Sequence, residues 1–211
     1  MEIKKFTFNS FQENTYVISS NKKCMIVDPG CSNTEERKIL QAYITNNNLE
    51  PVELVNTHCH LDHIFGNNYI SKTYQLKPKM HIKDLPLLEK ALEIAALYNV
   101  NLQEPPMDVE FIKENDIIRV GETNWKVIFT PGHAPGHICL LNIENKKIIV
   151  GDVLFYLGIG RTDLPGCNHN DLINSIKDKL FCLDNDIEVI CGHGHSTFIG
   201  FEKQNNPFLK K

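Results

Sequence analysis

The sequence predicts an α/β fold in which two mixed β-sheets pack face to face and helices cover both outer surfaces, a four-layer αββα sandwich. Three observations over its 211 residues predict this arrangement. Short β-branched strand patterns alternate with amphipathic helical patterns. The order of strands, helix, strand and histidine-containing loop then occurs a second time, which indicates two pseudo-repeated halves. No stretch has the composition of a linker, so we expect one domain over residues 1–211.

The first half begins with three strands, after which helices and strands alternate. Strands are predicted at residues 3–9, 14–19, 23–30, 52–57 and 79–82. A helix is predicted over residues 34–48, with Asn33 as its N-cap and Glu36 three residues later as in a capping box. The apolar face of this helix comprises Ile39, Leu40, Tyr43 and Ile44. A second helix is predicted to begin near His63.

A helix predicted over residues 85–100 joins the two halves, and Leu88, Leu92 and Ala95 form its core stripe. Strands of the second half are predicted at residues 109–112, 116–121, 125–132, 138–144, 147–155 and 188–195. The last long helix follows residues 167–171, and its inner face comprises Leu172, Ile176 and Leu180.

Composition restricts the classes of partner. The net charge of -4 argues against a nucleic-acid or membrane-surface partner. No apolar run approaches the roughly 20 residues of a membrane span. The first ten residues lack the apolar core of a signal peptide, so we expect a cytoplasmic protein that acts on a small molecule. Seven cysteines without a C-x-x-C pair indicate free, mostly buried thiols. The oligomeric state is left open.

Seven of the nine histidines lie in three short loops, and each loop follows an apolar strand. The loops read THCHLDH (residues 57–63), TPGHAPGH (130–137) and CGHGHST (191–197). A fourth strand pattern, KIIVGDVLF (147–155), carries Asp152. Strand ends are rigid mounts that can meet at one rim of a sandwich, so we predict that these side chains come together.

Imidazoles and carboxylates in such numbers predict a metal site. Borderline divalent metals prefer imidazole nitrogen and carboxylate oxygen, and two ions need about six protein ligands with a bridging carboxylate. We predict that one ion is held by His58, His60 and His133, that the other is held by Asp62, His63 and His193, and that Asp152 bridges them. Zinc is the expected metal, and iron and manganese accept the same ligands.

The remaining histidines carry weaker predictions. His137 is the candidate for a hydrogen-bonding residue behind the ligands, with a plain loop residue as the alternative, and His195 is left open between the same two readings. We expect His81 and His169 to be surface or helix-cap residues. Cys59 lies between two ligands and is predicted to point away from them as a packed thiol.

These motifs resemble those of the metallo-β-lactamase superfamily. THCHLDH matches its H-x-H-x-D-H signature, and VDPG, TPGHAPGH, VGDVLF and CGHGHST match its other motifs in order. Within the superfamily the chain most resembles the compact glyoxalase II-like hydrolases, through GIGRTDLPGCN and IGFEKQNNPFL. The resemblance implies the αββα fold and the same division of ligands. It also implies a place near the site for Asp28, as a hydrogen-bond partner of a ligand histidine.

The resemblance further implies hydrolysis of thioesters such as S-lactoylglutathione. A water between two ions, with its pKa lowered toward about 7, would attack as hydroxide. Asp62 would ligate a metal and orient that hydroxide, and no G-x-S-x-G nucleophile motif is present. Arg161 is the candidate for holding a substrate carboxylate. The alternative for Arg161 is an internal salt bridge with Asp163.

Two departures from the glyoxalase II pattern predict loose glutathione specificity. Cys167 stands where close relatives have glycine in a PGGN turn. The larger glyoxalase II enzymes carry a C-terminal helical domain that helps to bind glutathione, whereas this chain ends about a dozen residues after the loop of His195. We therefore expect a weak KM, tolerance of different acyl groups, and poor or absent hydrolysis of β-lactams.

Several alternatives stay open on sequence grounds. A persulfide dioxygenase shares the fold and a GRTD stretch but uses one iron. The commonest class B β-lactamases have cysteine at the place of Asp152 and are secreted, and di-iron oxygen reductases have glutamate at the place of His60. A binding module would need a closed tetrahedral metal site, which the surplus of ligands argues against. About two ions per chain would favour the hydrolase, and one iron the dioxygenase.

Overall fold

The computed structural model describes residues 1–210, and the first half of the chain forms its first sheet. The six strands follow chain order across that sheet: β1 (Glu2–Phe8), β2 (Glu13–Ser20), β3 (Lys23–Val27), β4 (Glu50–Val55), β5 (Pro78–Met80) and β6 (Glu110–Phe111). The first three are antiparallel neighbours, whereas β3 to β6 are parallel. The carboxyl ends of β3 and β4 therefore lie at the same edge.

The second half forms the second sheet. Its strands are, in spatial order, β14 (Thr197–Phe198), β13 (Glu188–Cys191), β10 (Lys147–Gly151), β9 (Ile138–Asn142), β8 (Thr123–Phe129) and β7 (Ile117–Val120). A separate hairpin pairs β11 (Leu154–Phe155) with β12 (Gly158–Ile159). Strands β7 to β10 form an antiparallel meander, and β10 pairs in parallel with β13. Consequently β8, β10 and β13 all end at one edge of the sheet.

The helices depart in detail from the sequence prediction. They are α1 (Thr34–Asn46), α2 (Leu61–Ile64), α3 (Asn67–Tyr74), α4 (Leu85–Glu89), α5 (Ala91–Leu97), α6 (His169–Asn174) and α7 (Ile199–Asn205). The single helix predicted over residues 85–100 is in fact α4 and α5, because Lys90 leaves the helical region with ψ of 4°. After α6 a π-helical stretch continues through Ser175–Leu180. Within residues 1–210 no helix has the length and apolarity that a membrane crossing requires.

The two sheets pack face to face through an apolar layer. Side chains alternate along a strand, so Tyr16 and Ile18 of β2 point into this layer while Val17 points to the helices. Trp125 of β8, fully buried, is among the largest side chains in the same layer. This arrangement confirms the predicted sheet-on-sheet core.

Helices cover both outer faces. Leu40 and Ile44 of α1 and Ile70 of α3 pack on the first sheet. The second sheet is covered by the α6 region and α7, through Leu172, Ile176, Leu180 and Ile199. The four-layer αββα order is therefore confirmed, and so is the predicted inner face of the last long helix.

Two details of the predicted helix faces are wrong, and one cap is confirmed. Ile39 is 52% exposed and Leu92 is 46% exposed, so neither belongs to a core stripe. Asn33 is the N-cap of α1, and its side chain accepts the N–H groups of the first turn. Glu36 does not complete a capping box, because its carboxylate accepts the N–H of Ser32 instead.

All seven cysteines are free, as predicted. Five are buried, Cys167 is half-buried and Cys182 is exposed. Burial in apolar surroundings raises the pKa of Cys24, Cys31 and Cys139 to about 12, so these thiols are inert at neutral pH.

Candidate metal centre

Five strands end at one rim of the sandwich, and polar side chains follow each of them. In the first sheet β3 leads to Asp28 and β4 leads to the loop of His58. In the second sheet β8 leads to His133, β10 to Asp152 and β13 to His193. Both halves of the chain therefore contribute to one cluster.

The first triad consists of His58, His60 and His133, which each offer a ring nitrogen within 4.8 Å of the others. His60 Nδ1 and His133 Nε2 are 2.9 Å apart. His133 Nδ1 donates to the carbonyl of Arg161 at 2.9 Å, and His58 Nδ1 lies 3.1 Å from Oγ1 of Thr57. These bonds place the protons on Nδ1 of His58 and His133, so their Nε2 lone pairs are left to face an ion.

The second triad consists of Asp62, His63 and His193, again with ligand atoms within 4.8 Å of one another. Asp62 Oδ2 lies 3.2 Å from His193 Nε2 and 3.6 Å from His63 Nε2. His63 Nδ1 donates to Asp28 at 3.0 Å, and His193 Nδ1 donates to the carbonyl of Gln12 at 3.2 Å. Here too the Nε2 atoms are directed to the centre.

Asp152 lies between the two triads. Its Oδ2 is 3.5 Å from Nε2 of His133 and 3.4 Å from Nε2 of His193, and its Oδ1 is 3.5 Å from Nε2 of His63. This is the position that a bridging carboxylate requires. The next loop packs tightly against it, because a Cβ on Gly192 would lie 2.2 Å from Asp152 Oδ1.

Unpartnered buried atoms test whether these residues fit metal ions. Among residues 1–210, six buried side-chain polar atoms have no hydrogen-bond partner, and three of them belong to the cluster: His58 Nε2, His63 Nε2 and Asp152 Oδ1. Buried polar side-chain atoms are seldom left in this state, and half of those six lie at this one place. Five imidazoles and two carboxylates form the donor set that zinc, iron and manganese accept. The residues therefore fit a pair of divalent ions.

Asp28 fixes the first ligand loop from behind. Its Oδ1 accepts the N–H of Thr57 at 2.7 Å, and its Oδ2 accepts both the Thr57 hydroxyl at 2.6 Å and Nδ1–H of His63. Asp28 has a φ of 48°, a conformation that L residues other than glycine seldom adopt. The left-handed turn allows one carboxylate to hold both the loop and the ligand ring.

His137 lies directly beneath the cluster. Its Nε2 accepts the N–H of Asp152 at 3.1 Å, its Nδ1 lies 3.2 Å from the Thr130 hydroxyl, and its ring stacks on that of His58. His137 is fully buried and is hydrogen-bonded to the backbone of Asp152, which lies between the two triads. This placement agrees with a role in orienting Asp152, which stays a prediction.

Asn14 and Tyr16 of β2 join the two halves at the centre, and no sequence motif singled them out. Asn14 Nδ2 donates to the carbonyls of Cys191 and Gly194 at 3.1 and 3.0 Å, and the Tyr16 hydroxyl donates to the Cys191 carbonyl at 2.6 Å. These bonds hold the loop that carries His193. The only local signal is the run of polar residues, Glu13 to Thr15, with which the strand begins.

The structure places the other singled-out residues at the periphery. Arg161 donates from Nε and Nη2 to the Asp163 carboxylate at 2.7 Å each, on the surface, which is the salt bridge foreseen as the alternative. His195 is exposed. The half-buried Cys167 donates from Sγ to the carbonyl of His133 at 2.8 Å. Cys59 points away from the cluster, with its sulfur 3.7 Å from that of Met80.

The two histidines that were given no role are cap and surface residues. His81 is the N-cap of a 3₁₀ turn (Ile82–Asp84), and its ring stacks on Phe129. His169 is exposed, and its Nδ1 lies 3.2 Å from the Thr162 hydroxyl.

The two triads differ in their affinity for protons. Burial, together with neighbouring imidazoles, lowers the pKa of His58 well below its ordinary value and that of His60 to about 3. Burial acts in the same direction on the second triad, but the nearby aspartates outweigh it. They raise the pKa of His193 to about 10 and that of His63 well above its ordinary value.

We expect metal binding to the second triad to depend steeply on pH. Without metal, the raised pKa values keep His63 and His193 protonated at neutral pH, and an ion must displace those protons. Affinity should therefore rise by about tenfold per pH unit for each proton displaced, up to about pH 10. The first triad, with neutral imidazoles, should change little above pH 6.5.

Stepwise zinc titrations of the metal-free protein at pH 6.5, 7.5 and 8.5, with proton release measured in parallel, check this difference. Equal pH slopes for the two binding steps would contradict it.

Several known proteins are similar to this chain. The family model described as the metallo-β-lactamase superfamily matches residues 9–195. Hydroxyacylglutathione hydrolase GloC of Haemophilus influenzae is 37% identical to this chain, and the match covers 99% of this chain and 98% of GloC. The crystal structure of the BLEG-1 B3 metallo-β-lactamase is 31% identical and covers all of both chains with a TM-score of 0.90. That of TTHA1623 in a di-iron-bound form is 32% identical, covers 98% of this chain and 100% of its own, and has a TM-score of 0.88.

Proposed function

Because the chain belongs to the metallo-β-lactamase superfamily, we propose that it is a dimetal hydrolase that cleaves thioesters such as S-lactoylglutathione or related acyl-thiols. The observation that carries the proposal is the placement of Asp152 between two triads with unpartnered buried ligand atoms. The 37% identity to a hydroxyacylglutathione hydrolase supports the thioester as the substrate class.

Two divalent ions held by the triads would supply a water of lowered pKa and positive charge for the developing oxyanion. The chain's own residues orient the reactants. Asp62 is half-buried at the rim and can accept a hydrogen bond from the attacking water. Hydrogen bonds from Nδ1 of His63 and His133 keep those rings from turning. The thiol of Cys59 faces Met80, so it is not placed to act as a nucleophile.

We also propose a cytoplasmic location and a small-molecule substrate. Free buried thiols suit a reducing compartment, and a net charge of -4 does not favour nucleic acid or an anionic membrane as the partner.

A panel of substrates on protein of measured metal content tests the function. We expect zinc-loaded protein with about two ions per chain to cleave S-lactoylglutathione and related thioesters with broad acyl tolerance, and β-lactams poorly. Free thiol is followed with a chromogenic reagent, and β-lactam opening by absorbance. Faster turnover of β-lactams than of any thioester would reassign the substrate class.

Sulfur oxidation by a single iron is the second candidate function. The histidine and aspartate donor set accepts iron as well as zinc, and the 32% identical relative in a di-iron-bound form carries iron in the same fold. The same panel includes glutathione persulfide, with oxygen consumption followed on zinc-loaded and iron-loaded protein. Oxygen uptake by the iron form, without thioester cleavage by either form, would overturn the hydrolase proposal.

Replacing Arg161 by alanine is expected to raise KM about three- to tenfold for thioesters that carry a carboxylate, with little change in kcat. The guanidinium is exposed and held by Asp163 through two of its nitrogens, which leaves Nη1 free for a substrate. Neutral thioesters should be unaffected.

The matched control for this variant is Asp163→Ala, which frees the guanidinium and should leave KM for anionic substrates equal or lower. Equal effects of Arg161→Ala on anionic and neutral thioesters would assign this arginine to the architecture of its loop.

A further inference from the structure

Asp84 is a buried carboxylate that the proposed chemistry does not use. It ends the 3₁₀ turn (Ile82–Asp84) after β5, and it is fully buried. Its Oδ2 accepts the N–H of Cys59 at 2.8 Å, and its Oδ1 accepts the N–H of Gly136 at 2.5 Å. Both carboxylate oxygens are thus occupied by backbone N–H groups and not by a cation.

The two N–H groups belong to the two loops that carry the first triad. Cys59 lies between His58 and His60, and Gly136 lies in the loop of His133. These loops come from different halves of the chain and from different sheets. Asp84 is 25 residues from the first partner and 52 residues from the second. One carboxylate therefore links loops that share no strand pairing and that are otherwise joined by the bond from the Ile138 N–H to the Thr57 carbonyl at 2.8 Å.

The contact with Gly136 requires the absence of a side chain. A Cβ at this position would lie 2.6 Å from the backbone nitrogen of Asp84 and 2.7 Å from its Oδ1. Real Cβ atoms do not approach so closely, so any larger residue would push the second loop away. The close contact therefore requires both the glycine at 136 and the aspartate at 84.

Burial of the Asp84 carboxylate also lowers the stability of the fold. Burial raises the pKa of Asp84 to about 6, and the two N–H donors only partly oppose it. Neutral residues that pack well would avoid the desolvation of a carboxylate. A charge that is kept without a cationic partner suggests a purpose other than stability.

We propose that Asp84 is a positioning residue that sets the spacing of the first triad by locking the His58–His60 loop to the His133 loop. It touches no ligand side chain and acts through the backbone. The inference rests on the proposed dimetal centre but not on the proposed substrate.

The geometry explains why spacing matters. Zinc–nitrogen bonds of about 2.0–2.1 Å place two tetrahedral ligand nitrogens roughly 3.3 Å apart. His60 Nδ1 and His133 Nε2, one from each loop, are already 2.9 Å apart. If either loop moved outward by about an ångström, the two nitrogens would lie about 3.9 Å apart, too far for a tetrahedral angle at one ion. The second triad does not use the loop of His133. Asp62 and His63 share the first loop, but Asn9 and Asn56 donate to their backbone carbonyls at 3.1 and 3.0 Å, so we expect their positions to change little.

The test measures the affinity of each triad separately. Zinc is titrated into metal-free full-length protein against a chromophoric chelator, and the two steps are assigned with His60→Ala and His193→Ala. Asp84→Asn, which can accept only one of the two N–H groups, should weaken the first-triad step 10- to 100-fold. The second-triad step should change by less than about threefold. Gly136→Ala should give the same pattern from the other side of the contact.

Glu202→Gln is the matched control. Glu202 is equally buried, and its carboxylate accepts the N–H of Leu157 and the Thr197 hydroxyl, away from the first triad. This variant should lower the melting temperature of the metal-free protein. It should leave the ratio of the zinc affinities of the two triads unchanged. The double variant Asp84→Asn/Gly136→Ala should lose little more first-triad affinity than either single change, because both break one contact.

Four outcomes decide the matter. Equal weakening of both zinc steps by Asp84→Asn, as a loss of stability alone would cause, overturns the inference. If Asp84→Asn does not fold, unchanged first-triad affinity in Gly136→Ala overturns it. If the unmodified protein binds no zinc at the first triad, the proposed function fails. If it binds two ions and the variants do likewise with equal affinity, only the role of Asp84 fails.

Discussion

Replacing Asp152 by alanine is expected to lower metal content from about two ions per chain to one or fewer and to reduce hydrolysis by about 10³-fold or more. Asp152 is the one carboxylate in contact with histidines of both triads, at 3.4 to 3.5 Å. Its loss removes a ligand from each ion and the negative charge between them. Metal analysis and a thioester assay on the same preparation measure both effects.

The control for Asp152→Ala is Asp171→Ala, which removes an exposed carboxylate on α6. The control should keep its metal and activity, and both metal-free variants should melt within about 5 °C of the parent. Two ions per chain and unimpaired turnover in Asp152→Ala would refute the bridging role.

Gly192→Ala is expected to reduce activity by about 10²-fold or more without removing a single ligand. The added Cβ would lie 2.2 Å from Asp152 Oδ1 and 3.0 Å from Cε1 of His63, so the central carboxylate must move. Zinc titration should show weaker binding at both triads, because Asp152 contacts both.

Gly194→Ala, two residues along the same loop, separates this effect from ordinary backbone strain. Its φ of 70° disfavours alanine, but nothing lies within 4 Å of the added Cβ. It should lower stability by about 1 kcal/mol and leave the zinc affinities nearly unchanged. Similar losses of zinc affinity in the two variants would show that the loop conformation matters and the contact with Asp152 does not.

The sequence predicted the layers of the fold because each layer has a local signature. Helical spacing places Leu172 and Ile176 on one face. Tyr16, Val17 and Ile18 of β2 are all apolar, so only the structure shows that they alternate between two layers. Breaks inside helices were missed, since Lys90 ends a helical run whose composition has no proline or glycine at that point. The short helix α7 was also missed, because it directly follows a strand of only two residues.

The candidate ligands were visible because their chemistry is unusual for loops, whereas the residues behind them were not. Asn14 holds the backbone of Cys191 across 177 positions, and Asp84 holds that of Gly136 across 52. Such contacts are made to peptide groups, which every residue carries, so no side-chain pattern reports them. Only the folded backbone brings the partners together.

The division of each triad between the two sheets has a consequence for assembly. Either half alone supplies at most two of the three ligands for an ion: His58 and His60 lack His133, and Asp62 and His63 lack His193. High-affinity metal binding therefore requires that the two sheets have already docked. Each bound ion then links the two halves across their interface. By mass action, free metal at 100 times its dissociation constant would add about 2.7 kcal/mol per site to the cohesion of the halves. Chelation would remove that contribution and leave the apolar layer between the sheets to hold the halves together.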